Sequence, residues 1–142
     1  MNVIRLTDEE RDVFVSERRL GMLTTLRPGG APFSVPLWFG WDGHEVEMFS
    51  TRKAPKVTRL RADPRVSLLV PNHPDESARW VLFEGTAVID EEGTAAATRL
   101  FDKYHPTATE KQRARTLSSF EAADVVRVSI VPNHITTYAE TF

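Results

Sequence analysis

The chain has 142 residues, of which 41% are hydrophobic and 27% are charged, as expected for one globular domain covering residues 1–142. Its 18 Lys and Arg against 20 Asp and Glu give a net charge of -2, which argues against a general polyanion binder. The absence of cysteine excludes disulfides, thiolate metal sites and cysteine nucleophiles. No apolar run approaches the roughly 20 residues that cross a bilayer. Because the first residues also lack a signal-peptide pattern, we expect a cytoplasmic protein without a membrane partner.

The N-terminal third of the chain predicts one helix followed by three strands. Thr7 precedes an acidic turn in the capping-box pattern, which predicts a helix to about Arg18 that buries Val13 and Phe14. Strands are predicted over 20–26, 32–39 and 45–51, because residues typical of tight turns separate three β-like runs. Short strands joined in this way indicate an antiparallel meander.

The remaining elements alternate between helices and longer strands. A helix is predicted over 55–62, with Pro55 in its first turn and Asp63-Pro64 as its stop signal. Further helices are predicted around residues 97–104 and over 109–122, and strands over 65–70, 79–90, 125–131 and 135–138. Gly85 marks a bulge or bend in the strand over 79–90. The fold class is therefore mainly β: a six- to seven-stranded antiparallel barrel, closed or partly split, with inserted helices.

The common catalytic motifs are missing from the sequence. It contains no nucleophile elbow, no zinc-protease motif, no Walker loop and no dinucleotide-binding glycine motif. Its four histidines lie about thirty residues apart, without metal-ligand spacing. The sequence therefore predicts no metal site, and it identifies no catalytic acid, base or nucleophile.

The strongest local feature is a basic segment where a strand runs into a helix. Residues 52–65 contain six cations and only Asp63 as an acid, and Ser50 and Thr51 directly precede them. Free backbone N–H groups at a helix start, hydroxyls and ammonium groups together favour a phosphate. A solvated helix face paired with acids elsewhere is the alternative interpretation.

Aromatic residues form the second feature. Trp38, Phe39, Trp41, Phe49 and Trp80 lie on or beside the predicted strands, where neighbouring strands can bring some of them to the basic segment. A flat aromatic ligand favours such walls. A barrel core with exposed aromatic caps explains the same pattern.

These motifs resemble one family. They are similar to motifs of the flavin-binding split-barrel proteins related to pyridoxamine 5'-phosphate oxidase. The matching residues are the run Val35-Pro36-Leu37-Trp38-Phe39, then Phe49-Ser50-Thr51 followed by Lys53, Lys56 and the stretch 60–67. The stretch 83–88 resembles the family's "G-x-A" strand, and the likeness extends over about residues 5–138.

The resemblance implies a homodimer that holds FMN, or alternatively the deazaflavin coenzyme F-420, in a groove between its subunits. Ser50, Thr51, Lys53 and Lys56 match the positions that hold the cofactor phosphate. The strand residues Val35, Pro36, Leu37 and Trp38 match those beside the ring system, and Trp80 stands where a partner residue covers the site. The C-terminal arginine-containing tail that grips pyridoxamine phosphate is missing, so oxidation of that vitamer is not expected.

Three functions follow from these features. The leading one is an FMN- or deazaflavin-dependent oxidoreductase that transfers a hydride to or from a small organic substrate. FMN needs only its phosphate monoester neutralised, whereas Arg59 and Arg61 suit the longer polyanionic chain of the deazaflavin if they face the groove. A non-catalytic protein that binds a flavin, haem or another flat anion is the second. Nucleic-acid binding through the basic segment is the third, and the net negative charge and lack of a second basic stretch argue against it.

Overall fold

The computed structural model describes all 142 residues as twelve elements. The elements are, in chain order, β1 (Asn2–Ile4), α1 (Asp8–Ser16), β2 (Gly21–Leu26), β3 (Pro32–Leu37), β4 (Gly40–Trp41), β5 (Val46–Thr51), α2 (Pro55–Ala62), β6 (Arg65–Pro71), β7 (Arg79–Asp90), α3 (Thr94–Tyr104), α4 (Glu110–Ala122) and β8 (Val125–Thr141). None of the four helices combines the length and the apolar character that a membrane crossing requires.

The eight strands form one antiparallel sheet in the order β3-β2-β6-β7-β8-β5-β4, and β1 pairs with β8. The edge strands β3 and β4 stand at opposite ends of this order, yet only Trp38 and Phe39 connect them. Three steps along the chain span at most about 11 Å. The sheet therefore curls into a half-barrel whose edges approach each other, which confirms the mainly β barrel class with inserted helices.

The strand pairing differs from the predicted meander. The hairpin of β2 and β3 forms, but β5 pairs with β4 and β8 and not with β3. The reason is Phe39, whose side chain is fully buried in the core and draws the chain across from one sheet edge to the other. The two short strands β1 and β4 also raise the strand number to eight, above the predicted six to seven.

The C-terminal strand β8 is continuous, although two strands were expected there. Glu84 of β7 pairs with His134 and Gly85 pairs with Pro132, which leaves Asn133 as an extra residue. The prediction of an irregularity at Gly85 is thus confirmed. A Cβ at Gly85 would lie 3.0 Å from the Val131 carbonyl oxygen, so the backbones approach too closely there for a larger residue.

Helix α1 begins at the predicted capping box, with the Thr7 side chain accepting from the Glu10 N–H. Phe14 is buried as expected, but Val13 is 59% exposed and Val15 is buried in its place. The buried helix face follows the i, i+3, i+4 spacing of Arg11, Phe14 and Val15, which excludes Val13.

The loop between β6 and β7 is held against the end of α1 by a buried guanidinium. Arg19 is only 3% exposed and donates two hydrogen bonds of 2.7 Å to the carboxylate of Glu76. Its guanidinium also lies 4.0 Å from the centre of the Phe14 ring. This bidentate pair fixes a connection that has little regular structure of its own.

Candidate functional site: an aromatic groove with a cationic end

A groove of about 830 Å³ lies where the connection between the sheet edges meets helices α2, α3 and α4. Its lining residues come from the end of β3 and the residue after it, the end of β5, the start of α2 and one face each of α3 and α4. They are Leu20, Pro36, Leu37, Trp38, Phe49, Ser50, Thr51, Ala54, Lys56, Phe101, His105, Thr116 and Phe120. This volume is in the range of groove sizes that hold a small ligand or cofactor.

One end of the groove is built from hydrogen-bond donors. Ser50 and Thr51 finish β5, and after three intervening residues the chain enters α2, so the end of that strand lies beside the first turn of the helix. The hydroxyls, the backbone N–H of Lys56 and the Lys56 ammonium form no hydrogen bond within the chain. Donors that line one end of a groove and have no acceptor within the chain are suited to an anionic ligand.

Lys56 is the cation at this end of the groove. Its side chain is half-buried and has no carboxylate within ion-pair distance. Burial lowers the pKa of the Lys56 ammonium below its ordinary value, because the charged form loses hydration without gaining a counter-ion. A phosphate in the groove would supply that counter-ion.

Aromatic rings form the walls of the groove. Trp38 stacks on Tyr104 with ring centres 5.0 Å apart and planes 7° from parallel. Trp38 also meets Phe49 edge-on at 6.3 Å, and Phe49 meets Phe120 at 5.1 Å. The Tyr104 hydroxyl donates to the Arg19 carbonyl oxygen, which fixes the ring behind Trp38. The walls thus present flat apolar faces that suit a planar heterocycle.

The basic segment separates into cations with and without acidic partners. Arg52 pairs with Asp124 and Glu91, Arg61 pairs with Glu91, and Arg65 pairs with Asp63. The alternative interpretation, in which the basic segment is a solvated surface paired with acidic residues, therefore holds for these three arginines. Lys53, Lys56 and Arg59 have no carboxylate partner.

Lys53 and Arg59 face away from the groove, into a second cavity of about 760 Å³ on the other side of α2. Its walls are the β2–β3 turn and α2, with Arg27, Lys53 and Arg59 as its cations without partners. The guanidinium groups of Arg27 and Arg59 lie 4.5 and 4.4 Å from the centre of the Phe33 ring.

Most of the site residues expected from the sequence come together in the groove. Six line it: Pro36, Leu37, Trp38, Ser50, Thr51 and Lys56. Val35, by contrast, packs against the hydrophobic core, and Lys53 lines the second cavity. Trp80 stacks on Tyr138 at 5.4 Å and lies outside the groove of its own chain.

The sequence indicated that the helices between Glu91 and Ala122 shape the substrate side, but it did not identify the individual residues of this helical wall. Phe101 and His105 of the α3 end, and Thr116 and Phe120 of α4, contribute this wall. The two residues of each pair are four positions apart, so they lie on one face of a helix. This spacing was the signal in the sequence that could have identified the wall. Which side of the sheet the two helices cover depends on packing and not on local pattern.

Comparison with known proteins places this fold and groove in a family. Residues 7–131 match the family model described as pyridoxamine 5'-phosphate oxidase. The chain belongs to the pyridoxamine 5'-phosphate oxidase family. This membership confirms the resemblance drawn from the strand-end and helix-start motifs.

The names of individual proteins similar to this chain mention different cofactors. An F420H(2)-dependent biliverdin reductase of Mycobacterium tuberculosis is 37% identical over 90 residues, a match that covers 62% of this chain and 62% of the relative. The crystal structure of a conserved hypothetical protein from the same organism has 29% identity and a TM-score of 0.81, covering 96% of this chain and 86% of the other. The structure of an F420 reductase has 27% identity and a TM-score of 0.71, covering 88% and 94%. An FAD-binding protein of Mesorhizobium loti shares the fold at 19% identity and a TM-score of 0.72, covering 99% and 100%.

Proposed function

We propose that the chain is a reductase that holds a deazaflavin in the groove and transfers a hydride to a small organic substrate. The observation that carries this proposal is the set of free donors at Ser50, Thr51 and Lys56 at one end of an aromatic groove. The F420H(2)-dependent biliverdin reductase at 37% identity and the F420 reductase at 27% identity support the cofactor class. FMN is the alternative occupant, because the same donors suit its phosphate.

In this proposal the protein residues bind, orient and shield the reacting groups. When bound, a deazaflavin supplies the hydride chemistry. Ser50, Thr51 and Lys56 hold the phosphate, and this fixes how far the ring system extends along the groove. Trp38 and Phe49 exclude water from one wall, and Phe120 covers the helical side.

The second cavity favours the deazaflavin over FMN. Arg59 does not face the groove, as the sequence expectation required, but lines this cavity with Arg27 and Lys53 at the other side of the α2 start. A polyanionic chain that continued around the helix start beyond the phosphate would reach these free cations. Arg61 does not take part, because it is paired with Glu91. FMN ends at its phosphate monoester and leaves these cations without a partner.

We also propose that two copies of the chain associate through the outer face of the sheet. Met22 is opposite Leu69, Leu69 is opposite Leu82, and Trp80 stacks on Tyr138 on this same face. These apolar side chains are only partly buried within the single chain. An apolar sheet face of this kind is typical of a protein interface.

This interface adjoins the groove. Pro36 lies opposite Met22 in the sheet and also lines the groove, so a partner seated on the outer face reaches the groove rim. Trp80, stacked on Tyr138, is the side chain of that face that we expect to reach a neighbouring groove. Leu82→Glu is expected to convert a dimer into monomers in light scattering, whereas Glu84→Gln on the same strand is expected to leave the dimer intact. A wild-type chain that is monomeric at micromolar concentration would rule out this association.

A titration with both cofactors tests the proposed function. Purified protein is mixed with deazaflavin F420 or with FMN, and binding is followed by cofactor fluorescence. Reduced deazaflavin and biliverdin are then mixed with the protein, because one relative is a reductase of biliverdin. Tight deazaflavin binding with protein-dependent oxidation of the reduced form is expected. Binding without hydride transfer to biliverdin or other acceptors would favour a carrier protein instead.

A further inference from the structure

His105 occupies a fixed position in the wall of the groove. It follows the last residue of α3, and its backbone N–H donates to the Phe101 carbonyl oxygen. Its ring lies edge-on to Trp38, with centres 5.2 Å apart and planes 67° apart, and 5.1 Å from the Phe101 ring. Two aromatic neighbours therefore hold the imidazole at the rim where a planar ligand would lie.

The ring nitrogens of His105 are free to bind a ligand. The imidazole forms no hydrogen bond within the chain, and the residue is exposed. It also lines an adjoining recess of about 260 Å³, whose polar residues are Thr107, Gln112 and Thr116. His105 and Thr116 line both cavities, so the imidazole stands between the groove and a polar opening to solvent.

Few charged groups surround this imidazole. Lys56 from α2 is the other ionisable side chain that lines the groove. Asp102, one turn earlier in α3, is neutralised by Arg113 of α4 at 2.9 Å, and the recess contains no charged residue besides His105 itself. The Tyr104 hydroxyl is engaged with the Arg19 carbonyl oxygen. His105 is therefore the side chain of the groove whose ring nitrogens can donate a proton to a bound substrate.

We propose that His105 is the acid that protonates the substrate in the reduction, an inference that rests on the proposed function. In the reduction of a conjugated C=C or C=N bond, the π bond would break and a new C–H bond would form with the hydride of a bound reduced deazaflavin, which would be left in its oxidised form. The electron pair of the π bond moves to the other atom, which takes the proton from the His105 imidazolium. The imidazole then regains a proton from water through the polar recess. Acid catalysis of this kind contributes about 100-fold or more to a rate.

Nuclear magnetic resonance of the four histidines tests the placement independently of activity. Biliverdin is added to the chain saturated with oxidised deazaflavin, and the ring signals of His44, His73, His105 and His134 are followed. The His105 signal is expected to shift alone, because it alone of the four lines the groove. A His105 signal that does not move overturns the inference, whether or not the chain catalyses the reaction.

Kinetics of two variants test the chemical role. His105→Gln is expected to bind deazaflavin within about twofold of wild type, but to lower the biliverdin reduction rate by about 100-fold. His44→Gln, an exposed position in the turn between β4 and β5, serves as the matched control with wild-type kinetics. An unchanged rate of biliverdin reduction in His105→Gln contradicts the inference. A wild-type chain that binds deazaflavin and biliverdin but transfers no hydride contradicts the proposed function instead. In that case the shift of the His105 signal still shows whether this residue contacts the ligand.

Discussion

Replacing Lys56 by Met separates ligand binding from folding. In the free chain the half-buried ammonium has no counter-ion, and burial lowers its pKa. A bound phosphate gains one charge-assisted hydrogen bond from it, worth about 1.5–3 kcal/mol, so Lys56→Met is expected to raise the deazaflavin Kd by about 10- to 100-fold. The melting temperature of the free variant is expected to equal or exceed that of wild type, because a desolvated charge has been removed.

Fluorescence titration of the cofactor and calorimetric melting of the free protein measure the two effects. Lys111→Met is the control, since Lys111 is exposed on α4 and lies outside the groove. Wild-type affinity should also weaken as pH rises and Lys56 loses its proton, a dependence that Lys56→Met should lack. Unchanged affinity together with a lower melting temperature in Lys56→Met would show that the lysine is structural and would refute this reasoning.

Three further predictions concern the groove wall, the loop clamp and a second buried lysine. Trp38→Phe is expected to remove most of the tryptophan quenching caused by deazaflavin, and full quenching in this variant would place the ligand elsewhere. Arg19 lowers the pKa of Glu76 from 4.5 to about 2, so this ion pair stabilises the fold above pH 4.5 and loses its effect as pH falls towards 2. In acid titrations, the free energy of unfolding should therefore fall less over that pH range in Glu76→Gln than in the wild-type chain. Burial lowers the pKa of Lys103 from 10.5 to about 8, so the free energy of unfolding should rise between pH 8 and 10.5, and Lys103→Met should flatten that rise.

The elements that the sequence predicted best have local signals at both ends. Helix α2 follows the predicted bounds, because Pro55 starts it and Asp63-Pro64 stops it. The interruption expected after Val131 is wrong, since Pro132 and Asn133 resemble a turn but instead form an irregularity opposite Gly85 within one long strand. Such a feature depends on the partner strand and is invisible in the local pattern.

The site shows the same division between local and tertiary information. Ser50, Thr51 and Lys56 are within seven residues of one another, so a strand end followed by a helix start is enough to bring them together. The opposite wall, with His105 and Phe120, depends on how α3 and α4 fold back over the sheet. The neutralisation of half of the basic segment likewise depends on acids far away in sequence, such as Glu91 for Arg52 and Arg61.

A crystal structure of the chain with bound deazaflavin tests the central claim most directly. The phosphate is expected within hydrogen-bond distance of the Ser50 and Thr51 hydroxyls and the Lys56 ammonium, with the ring system between Trp38 and the helical wall. A phosphate found only beside Arg27 and Arg59 in the second cavity, with Lys56 in water, would contradict the assignment of the groove.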